Sequence, residues 1–239
     1  MKWVPDKTGR FGQRPHYQPE ELDTDCEQVI TAFLIQKYGR INFPVKTEDL
    51  TILIEQKARL DSYADLSEEG EGVEGVTEFV PGKRPLVKIA SALNSPNMEN
   101  RLRTTLTHEF GHVHFHEFMF AVETRPRSLF EQNDPPAHTN KCKRENMVSA
   151  PEVDWMEWQA GYACGALLMP AGPLIETVKR FRTDNGVGYT DIVVESDLGR
   201  QLIGNVVAAF QVSRDAARVR LLKKLVLTNG IVGGSSGLF

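Results

Sequence analysis

The chain has 239 residues, a formal net charge of −4 and an isoelectric point near 5.9. This length suits one medium-sized domain with a small appendage, and the acidic balance gives no basic field that would attract nucleic acids or anionic membranes. The sequence has no apolar run long enough to span a membrane, and its first residues have no apolar signal segment. The three cysteines are widely spaced, which argues against a disulfide framework. We therefore expect a soluble protein of the reducing cytoplasm, without membrane contact.

The first half of the chain predicts a loose arm, two helices and a small sheet. Residues 1–17 are mostly polar and include two prolines, so we expect an irregular arm. Apolar residues at helical spacing predict a helix over 19–38, and Thr47 with its acidic neighbours predicts the capped start of a helix over 47–56. Turn-rich sequence separates three strand-like segments, at 58–64, 75–80 and 86–90.

The second half of the chain predicts a long helix, a polar insertion and two more helices. Apolar residues recur at helical spacing over 96–117, after a serine and a proline that are typical of a helix start. Residues 124–151 are polar and contain prolines, which predicts a long loop or a lid. Helical patterns return over 153–168 and 171–182.

The C-terminal residues predict a small helical module. An apolar helical pattern ends in a short turn, where Ser213 is placed to cap a second helix that begins at Arg214 and is rich in basic residues. Basic residues suit phosphate contact, but the acidic balance of the whole chain disfavours direct DNA binding. We therefore expect an α+β protein with a domain over 1–185, which contains the polar insertion, and a helical module over 186–239.

His108, Glu109 and His112 form an H-E-x-x-H motif within the predicted helix over 96–117. Two histidines four residues apart lie above one another on a helix, so both imidazoles can reach one metal ion. The glutamate between them is placed to take a proton from water that the metal activates. Apolar residues on another side of the helix would anchor it, leaving the ligands beside a cleft. The alternative is an amphipathic helix whose histidines are merely solvated or hydrogen-bonded.

A catalytic zinc site uses three protein ligands, and Glu157 is the candidate for the third. Small residues follow it at i+3, i+4 and i+7, so its helix could press closely against the helix that holds the two histidines. Glu152 and Asp154 are competing carboxylates that the sequence does not exclude. We expect His116 to pack or to hydrogen-bond near the ligands rather than bind metal, because a catalytic metal keeps one open position.

The H-E-x-x-H motif, followed downstream by Glu157 and by Leu-Leu-Met-Pro at 167–170, resembles the ImmA/IrrE family of zinc metallopeptidases. The resemblance extends over most of the predicted first domain and includes the order of its elements: an N-terminal helix, a small three-stranded sheet, the H-E-x-x-H helix and the Glu helix. It implies a zincin-like fold and a helix-turn-helix-like C-terminal module. For the site it implies Glu109 as the general base and three residues that hold Zn2+: His108, His112 and Glu157.

The same resemblance implies a function. It suggests a zinc-dependent endopeptidase that cleaves a helix-turn-helix transcriptional repressor and so derepresses a mobile-element or stress-response operon. The alternative is a non-catalytic metal-binding regulator that acts by protein or DNA contacts. Glu109 favours the enzyme, because a pure binding protein has no chemical need for a carboxylate between the two histidines.

Overall fold

A computed structural model of the chain describes residues 1–121, 138–143, 154–188 and 190–230. The chain divides into two compact units, Met1–Ala171 and Gly172–Phe239. This division falls after the first residue of the helix over 171–184, whereas the boundary expected from the sequence follows that helix. Helices and small sheets are both present among the described residues, which agrees with the α+β class. None of the helices in these ranges is long and apolar enough to cross a membrane.

The helices described in the first unit are α1 (Pro19–Tyr38), α2 (Thr47–Glu55), α3 (Glu99–Ala121) and α4 (Trp155–Leu168). The predicted bounds of α1 are confirmed, and Gly39 ends this helix in a left-handed conformation with φ of 69°. The prediction that Thr47 caps α2 is wrong, because Thr47 is already helical and Lys46 precedes the helix. The Thr47 hydroxyl instead donates to Glu99 at the start of α3, at 2.9 Å.

Among the described residues, the larger sheet of the first unit has four strands, one more than the sequence predicts. They are β3 (Arg59–Ala64), β4 (Val73–Phe79), β5 (Leu86–Ala90) and β6 (His138–Lys143), in the spatial order β3-β5-β4-β6. β3 and β5 are parallel, and β4 is antiparallel to both of its neighbours.

The strand β6 lies within the segment 124–151 that was predicted to be a loop or lid, and for these six residues the loop prediction is wrong. Its sequence is polar because β6 pairs with the sheet only through β4 among the described strands, and backbone pairing there does not require an apolar side-chain pattern. The rest of 124–151 lies outside the described residues.

The N-terminal arm is a hairpin rather than an irregular segment. β1 (Lys2–Pro5) pairs antiparallel with β2 (Gln13–His16). Phe11, in the connection between them, packs edge-on against Phe120 and Trp155, with ring centroids 5.3 and 6.2 Å away. Two four-residue strands, with only Pro15 buried, give too short an alternation to be recognised in the sequence. Tertiary packing of Phe11 decides their structure.

Close packing of α3 against α4 brings the two predicted metal-binding segments together. A Cβ added to Gly111 of α3 would lie 3.1 Å from the Cα of Ala160 and 3.3 Å from the Cβ of Ala163, both on α4. Small side chains on both helices therefore permit this approach, as expected for Ala160. On its other side α3 packs against β4, so the helix lies between α4 and the sheet.

The second unit contains α5 (Ala171–Asp184), α6 (Asp197–Phe210), α7 (Arg214–Lys223) and two short parallel strands, β7 (Ile192–Val193) and β8 (Leu227–Thr228). α6 and α7 pack against each other across the turn at 211–213. The predicted cap is confirmed, because the Ser213 hydroxyl accepts a hydrogen bond from the Ala216 amide at 3.1 Å.

Candidate metal centre

Three side chains from two helices meet inside the first unit: His108 and His112 from α3 and Glu157 from α4. The two histidine Nε2 atoms are 3.1 Å apart. Glu157 Oε1 lies 3.1 Å from His112 Nε2, and Glu157 Oε2 lies 3.3 Å from His108 Nε2. Ligands at about 2.0–2.1 Å from a tetrahedral zinc ion lie about 3.3–3.4 Å from one another. The triangle of donor atoms is therefore close in size to one face of a tetrahedral zinc site.

Local structure explains why Glu157 reaches the histidines and Asp154 does not. Asp154 is the N-cap of α4, where its carboxylate accepts from the Met156 and Glu157 amides at 3.2 and 3.4 Å. It also pairs with Arg10 at 2.6 Å. Asp154 thus fixes the first turn of the helix on which Glu157 lies. Glu152, the other competing carboxylate, lies outside the described residues.

The surroundings of the donor atoms are compatible with a bound metal ion, because protein encloses all three side chains. His108 and His112 have no exposed surface, and Glu157 keeps 7 %. Glu157 Oε2 faces His108 Nε2 at 3.3 Å, and His108 Nδ1 is buried without a hydrogen-bond partner in the structure. Enclosing a carboxylate among imidazoles costs free energy unless a partner compensates for the lost water. A divalent cation would do so, and imidazole and carboxylate donors suit zinc, manganese or iron.

Burial around the two histidines is more complete than the periodicity of α3 suggested. The periodicity of α3 suggested one anchored side and one open flank, but α4 and β4 cover the helix from two directions. His108 and His112 are therefore as buried as Phe110 and Val113 on the apolar side of the same helix. Helical periodicity reports which residues are apolar, and it cannot report how many neighbours pack around a helix.

Charges within the triangle stabilise one another. Burial alone would raise the pKa of Glu157, but the neighbouring His112 and hydrogen bonds from His108 and His112 outweigh it and hold that pKa well below its ordinary value. Burial would likewise lower the pKa of His112, yet the Glu157 carboxylate raises it overall. Glu157 therefore stays ionised, which is the form that binds a metal ion.

Glu109 lies on α3 but faces the sheet and takes no part in the triangle. Its Oε2 accepts a buried hydrogen bond from the Thr77 hydroxyl, whereas Oε1 is buried without a hydrogen-bond partner in the structure. Burial raises the pKa of Glu109 above its ordinary value, despite the opposing effect of His112 and His108. The result is a carboxylate with one anchored and one unengaged oxygen.

Two residues of β4 that the sequence analysis did not single out shape the surroundings of Glu109. One is Thr77, the hydrogen-bond donor, and the other is Gly75. A Cβ added to Gly75 would lie 2.9 Å from Glu109 Cδ and 2.8 Å from Thr105 Cγ2, so only glycine leaves room for the carboxylate. A glycine within a strand pattern is a signal of close approach, and it could have identified this position. Thr77 carried no comparable signal.

His116 lies behind His112, outside the triangle. Its Nδ1 is 3.1 Å from His112 Nδ1, and its Nε2 is 3.1 Å from Gln159 Oε1. Burial, followed by the proximity of His112, keeps the pKa of His116 well below its ordinary value, so the ring is neutral. This is the hydrogen-bonding role near a ligand that the sequence suggested. The involvement of Gln159 was not anticipated.

His114, the remaining histidine of this helix, has a different environment. Its ring contacts Asp25 Oδ1 at 2.6 Å and Lys57 Nζ at 2.8 Å, and so links α3 to α1 and to the segment after α2.

No protein-family model matches the chain, and no curated protein matches it.

Proposed function

We propose that this protein is a zinc-dependent endopeptidase with a zincin-like catalytic domain. The observation that carries the proposal is a triangle of His108, His112 and Glu157 next to a buried glutamate, Glu109, that is not one of its members. Catalytic zinc sites use three protein ligands and keep a fourth position for water or substrate, whereas structural sites use four protein ligands. The resemblance of the two motifs to the ImmA/IrrE metallopeptidases supports the same assignment.

The residues around the triangle have distinct roles in this proposal. When bound, zinc supplies a Lewis acid that polarises a carbonyl group and makes water more acidic. Glu109 accepts the proton of the attacking water at Oε1, the oxygen without a hydrogen-bond partner. Its raised pKa makes it a stronger base than an exposed glutamate. Thr77 holds Oε2, so the carboxylate keeps one orientation while Oε1 receives the proton and returns it to the leaving amine.

The substrate class in this proposal comes from the motif resemblance. We expect a cytoplasmic helix-turn-helix transcriptional repressor, whose cleavage derepresses a mobile-element or stress-response operon. A repressor encoded beside this gene is the first candidate to test. Co-expression of the two proteins, followed by mass spectrometry of the repressor, would identify both the cleavage and the cut site.

The decisive variant is Glu109→Gln, which preserves the size of the side chain and removes the base. Loss of general-base catalysis lowers a rate by about 10²- to 10⁴-fold. Zinc content and melting temperature should stay close to those of the unaltered protein, because Glu109 is not in the triangle. Glu117→Gln makes the same chemical change near the C-terminal end of α3 and should leave cleavage intact.

A non-catalytic regulator would give the opposite pattern. Derepression in cells would then survive Glu109→Gln, and no repressor fragment would appear. It would fail instead in Arg214→Ala, which removes an exposed basic residue at the start of α7. That pair of results would replace the peptidase proposal with the regulatory one.

A further inference from the structure

A line of polar groups runs from the candidate metal position to the N-terminal hairpin. His112 Nδ1 lies 3.1 Å from His116 Nδ1, and His116 Nε2 lies 3.1 Å from Gln159 Oε1. Gln159 Nε2 in turn donates to the carbonyl oxygen of Pro15 in β2, at 3.0 Å. The three side chains are at most 1 % exposed, so they depend on one another rather than on bulk water. The line connects α3, α4 and β2.

With a metal ion bound, the direction of hydrogen bonding along this line would be fixed from both ends. The ion would take the lone pair of His112 Nε2, so the proton of that neutral ring would lie on Nδ1 and be donated to His116. At the far end the Pro15 carbonyl only accepts, so Gln159 presents its amide NH2 there and its Oε1 to His116. His116 therefore donates from Nε2 and accepts at Nδ1. Every donor in the line then meets an acceptor.

We propose that His116 and Gln159 are positioning residues that hold His112 in its metal-binding tautomer and so set the affinity of the centre for zinc. The inference rests on the zinc centre of the proposed function, and it adds two residues outside the triangle. Metal-bound histidines commonly donate their second N–H to a carboxylate, a carbonyl or water, and these partners affect affinity strongly. Here the neutral imidazole of His116 and the amide of Gln159 lie between His112 and the Pro15 carbonyl.

The proposal makes the hairpin β1–β2 part of the metal centre. Contacts around Trp155 hold the hairpin against α4: its indole N–H donates to Asp6 at 3.2 Å, and the guanidinium of Arg14 lies 5.7 Å from the ring centroid. The ring of His116 meets the same indole edge-on at 5.4 Å. The position of the Pro15 carbonyl is thus fixed relative to His116 and Gln159, and through them relative to His112.

The test is the zinc affinity of the full chain, measured by competition with a chelator. His116→Phe removes the acceptor for His112, and Gln159→Leu removes the acceptor for His116. Each should weaken zinc binding by about 10- to 100-fold, the usual effect of losing such a hydrogen bond. Tyr162→Phe is the matched control, because it removes a buried hydrogen bond from α4 to Asp23, at 3.0 Å, that lies outside the line. The zinc affinity of Tyr162→Phe should equal that of the unaltered protein.

A fourth variant, His116→Asn, separates positioning from packing. The Asn side-chain oxygen can accept from His112 much as Nδ1 does, but the smaller side chain leaves a cavity that phenylalanine would fill. The proposal therefore predicts that His116→Asn binds zinc more tightly than His116→Phe, even though its metal-free form melts at a lower temperature. If His116 served only to pack, His116→Phe would have both the higher zinc affinity and the higher melting temperature of the two variants.

Two results would overturn the inference. One is unchanged zinc affinity in Gln159→Leu, and the other is equal or tighter zinc binding by His116→Phe than by His116→Asn. Melting of the metal-free variants shows that each one is folded before its affinity is compared. Failure of the unaltered protein to bind zinc would overturn the metal centre and this inference together, so the two failures are distinguishable.

Discussion

Two helix pairs of this protein are built from different kinds of residue. The pair α3–α4 buries ionisable side chains at its centre: His108, Glu109, His112, His116 and Glu157. In the second unit, the buried residues of α6 are all apolar, and α7 buries a single ionisable side chain, that of Arg220, beside Ala217 and Leu221. An apolar interface is sufficient to hold two helices together, whereas buried ionisable groups cost free energy. The pair α3–α4 buries more ionisable groups, and the proposed metal centre would account for the difference.

The two pairs also differ in how their polar groups are satisfied. Serine caps satisfy backbone amides at the starts of both α6 and α7, where Ser196 and Ser213 accept from Gly199 and Ala216. In α3–α4, Glu109 Oε1 is buried without a hydrogen-bond partner in the structure, and Glu157 Oε2 faces His108 Nε2 at 3.3 Å. In the proposed function, a reacting proton would engage the first of these oxygens and a metal ion the second.

The largest expected effect is loss of the metal. The unaltered protein should bind about one zinc ion per chain, and His108→Ala, His112→Ala and Glu157→Ala should each lose most of that binding, because each removes one of three protein ligands. Metal analysis after dialysis would measure it. Asp154→Ala is the control: it removes the α4 cap, at a cost of about 1 kcal/mol, but should keep the metal. Retention of zinc by Glu157→Ala, together with its loss in Asp154→Ala, would reassign the third ligand.

A second variant tests the room that β4 leaves for Glu109. In Gly75→Ala the new Cβ would lie 2.9 Å from Glu109 Cδ, so the carboxylate or the strand must move. Such overpacking costs about 1–3 kcal/mol of folding free energy. Cleavage should fall further than zinc affinity, because the displaced residue is the proposed base. Gly12→Ala, where an added Cβ meets nothing within 4 Å, should change neither property. If Gly75→Ala lowered cleavage and zinc affinity equally, the assignment of Glu109 as the base would be contradicted.

A third variant, Thr77→Val, concerns the pH dependence of activity. The Thr77 hydroxyl donates to the ionised form of Glu109 and therefore lowers the pKa of that carboxyl, against the larger effect of burial. Removing the hydroxyl should raise the pKa further, so the base becomes protonated at a higher pH. The acid limb of the pH–rate profile should accordingly shift to higher pH. An unshifted limb, or one shifted to lower pH, would show that Glu109 is not the group that titrates there.

The smallest expected effect belongs to the second unit. Ser213→Ala removes the hydrogen bond at the start of α7 and should cost about 1 kcal/mol of stability. Thermal unfolding would measure this change, and chelator competition should show unaltered zinc affinity. The equivalent substitution at Ser196, which caps α6, should behave in the same way. A change of zinc affinity in either variant would contradict the separation of roles between the two helix pairs.

Local patterns were sufficient for most helices of the first unit. The bounds of α1 follow from the spacing of its apolar residues, and α3 and α4 were predicted to within a few residues at each end. The hairpin β1–β2 and the strand β6 were missed because their pairing does not depend on an apolar alternation. Strands of this kind are specified by the partner they meet, and a partner distant in the chain leaves no local pattern.

By itself, the sequence determined the chemical identity of the candidate site. The i, i+4 spacing of His108 and His112 places both rings on one side of a helix wherever that helix packs, and the small residues after Glu157 allow its helix to approach closely. Tertiary structure decided what surrounds these groups: the burial of all three donors, the contact of Glu109 with β4, and the line from His112 to the hairpin. The reason is physical, because helical geometry is local, whereas burial and hydrogen-bond partners depend on segments far apart in the chain.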